Sequence, residues 1–250
     1  MEKDDISMTS YVCFDLETTG LSPDKDEIIE IGAVKVIEGK VVDRFMRLVK
    51  PDQRISETVT EITGITNEMV AAAGPTDRIV FDFLQFCEDY PILGHNLMFD
   101  YRFMRRYAKK YYMTFERSGV DTLKVARKVL PDLPSKSLES LCAYYGIVNP
   151  SAHRAYHDAL ATARLYQTLK HYYGATNEAL FQAEHLHWKQ KKIQPATNRQ
   201  KQYLNELAKY HKISINSDFE TLTRSEASRL IDRIILQHGQ MARTAGRKRY

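Results

Sequence analysis

A chain of 250 residues that is 43% hydrophobic and 27% charged has the makings of one sizeable core plus a small extra module. No apolar run approaches the roughly 18 residues of a membrane-spanning helix, which excludes that class from the sequence. The net charge of +4 is uneven: residues 186–250 hold 14 Lys and Arg against 5 Asp and Glu, a net of +9, and the longer remainder is net −5.

The first ten residues are polar and acidic, without the apolar centre of a secretory leader. Residues 11–14 are large, β-branched or aromatic and predict a buried strand over about 11–16. Asp15 and Glu17 follow two residues apart. On a strand, such positions share a face, so two carboxylates would stand side by side. Like charges that close repel, and a divalent cation would relieve the conflict. Residues 27–37 and 41–49 predict a second and a third strand, joined by the short Glu38–Gly39–Lys40 connection.

Residues 60–66 read as a loop with a short helix after it, from Asn67, and residues 76–88 as a helix. A short buried strand is expected at 91–94. Asn96 is expected to cap a helix over about 97–112, and a fifth strand falls at 118–122. Helices are then expected over 122–130, 137–146 and 154–173. Strands first and helices later, alternating in between, predict an α/β domain with a mixed sheet. The expected organisation is a main domain at 1–174, a linker at 175–197, a helical module at 198–238 and a basic, disordered tail at 239–250. Cys13, Cys87 and Cys142 are odd in number, dispersed and set in apolar sequence. They read as buried thiols in a reducing compartment, with the cytoplasm as the default.

Two further acids stand out. Asp100 falls in the first turn of its expected helix, where the helix dipole alone favours an acid. Asp158 shares a helix face with Ala161, Thr162 and Leu165, where a carboxylate is costly unless paired or metal-bound.

The stretches FDLETTG at 14–20, HNLMFD at 95–100 and HRAYHDA at 153–159, in that order, resemble the three motifs of the DEDDh 3′–5′ exonucleases. The likeness extends over about residues 10–170. It is strongest to the proofreading exonucleases of bacterial replicative DNA polymerases, the epsilon subunit and the exonuclease part of PolC-type enzymes. The resemblance implies an RNase H-like fold with a five-stranded mixed sheet. It implies Asp15, Glu17, Asp100 and Asp158 as ligands of two divalent cations, Mg²⁺ or Mn²⁺, and His153 as general base. It also places Thr18, Thr19, Gly20, His95, Asn96 and Phe99 beside the terminal nucleotide, although Phe99 serves equally well in core packing. His157 competes with His153, but helical neighbours diverge by about 100°, which turns His157 from the Asp158 face. Asp121 is left out of the metal set.

The implied reaction releases nucleoside 5′-monophosphates from single-stranded or frayed DNA 3′ ends, in proofreading or repair. An exoribonuclease of the same fold remains an alternative, because the 2′-OH is sensed by pocket details. So does a non-catalytic nucleic-acid-binding adaptor. The basic C-terminal module is expected to contact nucleic acid or to dock a DNA polymerase or another replication or repair protein; the sequence leaves the two open.

Overall fold

A computed structural model describes residues 8–188, 194–215 and 222–241. The chain divides into two compact units at Trp188/Lys189. The first opens with β1 (Tyr11–Thr18), β2 (Ile28–Ile37) and β3 (Lys40–Leu48), an antiparallel meander. Two short helices follow, α1 (Glu57–Thr63) and α2 (Asn67–Ala71), and then α3 (Thr76–Cys87). Next come β4 (Ile92–Gly94), α4 (Met98–Lys110), β5 (Ser118–Asp121), α5 (Thr122–Val129), α6 (Leu138–Tyr145) and α7 (Ala155–Tyr173).

The sheet order is β3-β2-β1-β4-β5 with a sixth strand, β6 (Glu184–His185), antiparallel on β5. β4 runs parallel to β1 and β5 parallel to β4. The mixed sheet flanked by helices is the expected RNase H-like architecture, extended by one short strand. β6 is two residues long, too short to leave a periodic signal.

β1 is paired on both edges, by β2 and β4, and helices cover both its faces, so it opens as the apolar run Tyr11–Phe14. On one face Phe14 packs with Phe83 of α3 and with Phe115. On the other, Tyr11 and Cys13 meet Tyr166 and Ala159 of α7. The three cysteines are free thiols, all buried.

Three local expectations need correction. Residues 60–63, read as loop, complete α1. Ser56 caps that helix through Val59 N–H, and Gly64 ends it at φ 70°. Asn96 does not cap α4 with its side chain: the capping position is Leu97, and no side-chain cap forms. Asn96 instead takes a positive φ of 65° and donates its backbone N–H to Asp121 Oδ1 at 2.9 Å. The segment expected as a linker from residue 175 belongs to the first unit as far as Trp188. Phe181 is buried in the core, and Leu186, also buried, donates its N–H to Arg117 O. Polar residues around these two anchors hid them.

The second unit holds α8 (Asn198–His211) and α9 (Arg224–His238), each opened by a capping box, Thr197 with Gln200 and Thr223 with Glu226. They share a small core of Leu204, Leu207, Ala227 and Ile234. Most of the expected tail, residues 242–250, lies outside the described residues. Among the described residues, no helix is long and apolar enough to cross a membrane.

Candidate active site

The C-terminal part of β1 opens onto a cavity of about 550 Å³. β1 carries Asp15 and Glu17 to it on one face, as alternation requires. α4 brings Asp100, 3% exposed, and α7 brings Asp158, 8% exposed. His153 reaches the same cavity from the loop two residues before α7, at a positive φ of 61°. His95 and Phe99 line it as well, and α6 closes the far wall with Leu138, Cys142 and Ala143.

A glycine decides how close α7 can come. Gly32 of β2 is the cross-strand partner of Asp15. A Cβ there would overlap the Tyr156 backbone nitrogen and the Ala155 carbonyl carbon. Its absence lets the first turn of α7 rest on the sheet beside Asp15, which puts Asp158 within reach of β1.

The acids are held by backbone and amide donors. Leu16 N–H donates to Asp100 Oδ1 at 3.1 Å. His153 N–H donates to Asp158 Oδ2 at 2.8 Å, and Asn149 Nδ2 to Asp158 Oδ1 at 2.7 Å. The bond from His153 uses its backbone, so its imidazole is free of that task.

Electrostatics sets these groups apart. Burial, then the neighbouring Asp100, Glu17 and Asp158, holds the Asp15 carboxyl well above the ordinary carboxylate range. Asp100 is raised in the same way, chiefly by burial, against the pull of its backbone hydrogen bonds. Glu17 is pushed up to about 8 by burial, Asp158 and Glu30, partly offset by Arg154. Asp158 is raised by burial despite the Asn149 bond. These four carboxylates, all driven toward protonation, lack positive charge.

The residues fit a hard divalent cation. Ligand atoms of Glu17, His153 and Asp158 all lie within 4.8 Å of one another. Asn149 Oδ1 is buried without a hydrogen-bond partner among the described residues. An oxygen-rich donor set of this kind suits Mg²⁺ or Mn²⁺.

The other expected contacts divide. His95 lines the cavity, but both ring nitrogens are engaged. Nε2 lies 2.9 Å from the Lys136 carbonyl, which only accepts, so Nε2 carries the proton and Nδ1 faces the Thr122 hydroxyl. Burial lowers its pKa, so the ring is a neutral wall fixed in place. Thr18, Thr19, Gly20 and Asn96 do not line the cavity. Thr18 donates to Gly20 O, and Thr19 Oγ1 accepts from Glu27 N–H and Gln53 Nε2, so both hydroxyls shape the turn after β1. His157 is absent from the cavity wall, packed beside Tyr156. Asp121 caps α5 through Leu123 N–H and has no place in the acid cluster.

Sequence reasoning missed Asn149, Gly32 and the pair Glu30–Arg154. Glu30 is 3% exposed, and Arg154 grips both its oxygens, the closest at 2.7 Å. Ala155 N–H adds a further bond to Glu30. The available signal was a lone acid inside the apolar run of β2.

With this geometry in view, the exonuclease family model matches residues 12–166. The chain belongs to the exonuclease family. Within it the chain is DNA polymerase III epsilon-like. The DNA polymerase III subunit epsilon of Aquifex aeolicus is 34% identical over 165 residues, spanning 66% of this chain and 82% of that protein. The PolC-type DNA polymerase III of Thermotoga maritima is 44% identical over 158 residues, 63% of this chain, and the match spans only 12% of that much longer protein. The fold of this exonuclease is shared by Escherichia coli exonuclease I in complex with a dT13 oligonucleotide, at a TM-score of 0.63 and 24% identity, over 70% of this chain and 44% of that one.

Proposed function

We propose that this exonuclease hydrolyses the terminal phosphodiester at 3′ ends of single-stranded or frayed DNA and releases nucleoside 5′-monophosphates, in proofreading or repair. The observation that carries the reading is the convergence of Asp15, Glu17, Asp100 and Asp158 with His153 on one cavity at the end of β1. The crystallised relative with a dT13 strand and the polymerase names of the sequence relatives support DNA as substrate and a polymerase as working partner.

Asp15, Glu17, Asp100 and Asp158 would hold two divalent cations, Mg²⁺ or Mn²⁺. When bound, such ions activate water and neutralise charge on the phosphate and on the leaving 3′ oxygen. The chain's own residues do the rest. The acids fix where those cations would sit at the end of β1. His153 takes the proton from the attacking water, for which an imidazole is suited near neutral pH. Its place on a loop ahead of α7, outside any regular hydrogen-bond ladder, lets the ring face the cavity. His95 and Phe99 shape the wall against which the terminal nucleotide rests, Phe99 offering an apolar ring to a base of any identity.

The test gives the purified chain 3′-labelled and 5′-labelled single strands of DNA and of RNA, with Mg²⁺, Mn²⁺ or EDTA. Metal-dependent release of mononucleotides from the 3′ end of DNA is expected. Faster cleavage of RNA would reassign the substrate to the exoribonuclease reading. Binding without cleavage under every metal would reassign the chain as an adaptor.

A further inference from the structure

A second concavity adjoins the catalytic one. It holds about 650 Å³ and is bordered by the end of α6, the turn after it, and one face of α7. Ile147 lines both cavities, so the second begins where the first stops. Gly146, at φ 67°, turns the chain there. Arg164 donates to Val148 O at 3.3 Å and ties that turn to α7.

The wall of this groove is aromatic. Tyr145 stacks on Tyr172, with ring centroids 5.9 Å apart and planes inclined by 19°. Tyr144 stands edge-on to Tyr145 at 4.9 Å, and His171 edge-on to Tyr172 at 5.1 Å. Tyr144 is 59% exposed and Tyr172 62%. Core packing accounts for Tyr145, which sits against the buried cluster under α7, but not for its two exposed neighbours. Of the residues lining the groove, Arg164 alone carries a formal charge, and no carboxylate is among them.

We propose that the exposed rings of Tyr172 and Tyr144, backed by Tyr145 and flanked by Arg164, form a stacking platform for bases of the single DNA strand whose 3′ terminus lies in the catalytic cavity. The proposal rests on the exonuclease reading above and adds the path of the strand behind its terminus. Exposed ring faces accept any base, because every base has a π-face, and a cation beside them attracts phosphate. With Arg164 as the one charged residue lining it, the groove favours an anionic partner over a cationic one. The shared wall at Ile147 favours the strand that already enters the neighbouring cavity over an unrelated protein.

The test uses the full chain, its Tyr172→Ala and Tyr172→Phe variants and the Tyr144→Ala/Tyr172→Ala double variant. Binding of a fluorescent oligo(dT) of about six nucleotides is followed by anisotropy in EDTA, and hydrolysis of the p-nitrophenyl ester of thymidine 5′-monophosphate is followed with Mn²⁺. Tyr172→Ala should weaken oligonucleotide binding at least about five-fold and the double variant further, while Tyr172→Phe keeps it. All variants should hydrolyse the small ester at the rate of the unchanged chain, which also shows that they fold. Oligonucleotide binding that is unchanged in the double variant overturns the platform and makes the tyrosine face a protein contact. If the unchanged chain leaves the ester intact while the double variant still loses the oligonucleotide, the catalytic reading falls and the platform stands.

Discussion

Glu17 on β1 and Glu30 on β2 are cross-strand partners, yet they are treated in opposite ways. Glu30 is fully enclosed and receives a two-pronged grip from Arg154 and a further bond from Ala155 N–H. Its charge is matched within the chain, and the pair fastens the start of α7 to the sheet. Glu17, with Asp15, Asp100 and Asp158, has no cation of its own, and the whole group is pushed toward protonation. One carboxylate therefore serves the fold, and four wait for charge from outside. The difference teaches how a buried acid can be sorted: by whether the chain itself supplies the counter-charge.

The strongest way to break this comparison is to remove a waiting acid. Asp15→Asn should eliminate cleavage by more than about 100-fold, beyond the loss from a residue that merely supports a ligand. The same variant should melt no lower than the unchanged chain in EDTA, since one repelling charge is gone. Normal turnover, or a collapse in Tm, would put Asp15 with Glu30 among the structural acids.

The base comes next. His153→Ala should slow cleavage by roughly 10²- to 10⁴-fold. His157→Ala should leave the rate within a few-fold, because its ring packs beside Tyr156 outside the cavity. Steady-state rates on a labelled single strand decide it, and the reverse order would exchange the two roles.

The opposite perturbation strips the counter-charge from the satisfied acid. Arg154→Ala should cost roughly 3 kcal/mol, the low end for breaking a buried pair, since the Arg154 side chain is 37% exposed. Calorimetry should show a drop of roughly 6–12 °C for a chain of this size. Arg154→Ala/Glu30→Gln should recover part of that loss, because no unmatched charge is left.

A pH series sharpens the contrast further. The Glu17 carboxyl is raised from its ordinary value to about 8, so between roughly pH 4.5 and 8 the folded chain holds a proton that the unfolded chain has released. Stability in EDTA should therefore be greatest at the acid end of this window and fall as pH rises through it. Saturating Mn²⁺ should flatten the fall, because a bound cation replaces the proton. A profile that rises with pH in EDTA would contradict the electrostatic picture of the cluster.

The smallest effect is expected from the second unit. Residues 189–250 carry 14 Lys and Arg and 5 Asp and Glu. Truncation after Trp188, which keeps Phe181 and Leu186 in the core, should weaken single-strand DNA binding modestly and flatten its salt dependence. Unchanged affinity would assign the second unit to a protein partner, such as the polymerase suggested by the sequence relatives.

Much of this was written locally. The apolar runs of β1, β2 and β4 and the helical spacing of α3, α4 and α7 are legible because each is long and periodic, or sits between clear turn residues. α1 and β6 were not, being too short for a period to show. The residues at 14–20, 95–100 and 153–159 resemble motifs whose acids and imidazole the fold does bring to one cavity. Of the contacts expected beside them, His95 and Phe99 reach the cavity, while the hydroxyls of Thr18 and Thr19 turn inward to build the loop after β1.

By itself, then, the sequence determined the α/β class and the main strands and helices, because residue type and local spacing are enough for those, while Asp15, Glu17, Asp100, Asp158 and His153 were marked by their resemblance to the family's motifs. Only the tertiary structure decided which carboxylates are matched and which are not. Glu30 meets Arg154 across 124 positions of sequence, and Leu16 N–H meets Asp100 across 84. Gly32, unremarkable in its own strand, admits α7 to the side of Asp15 because it has no Cβ. Counter-charge and close approach are properties of neighbours in space, and no periodicity along the chain records them.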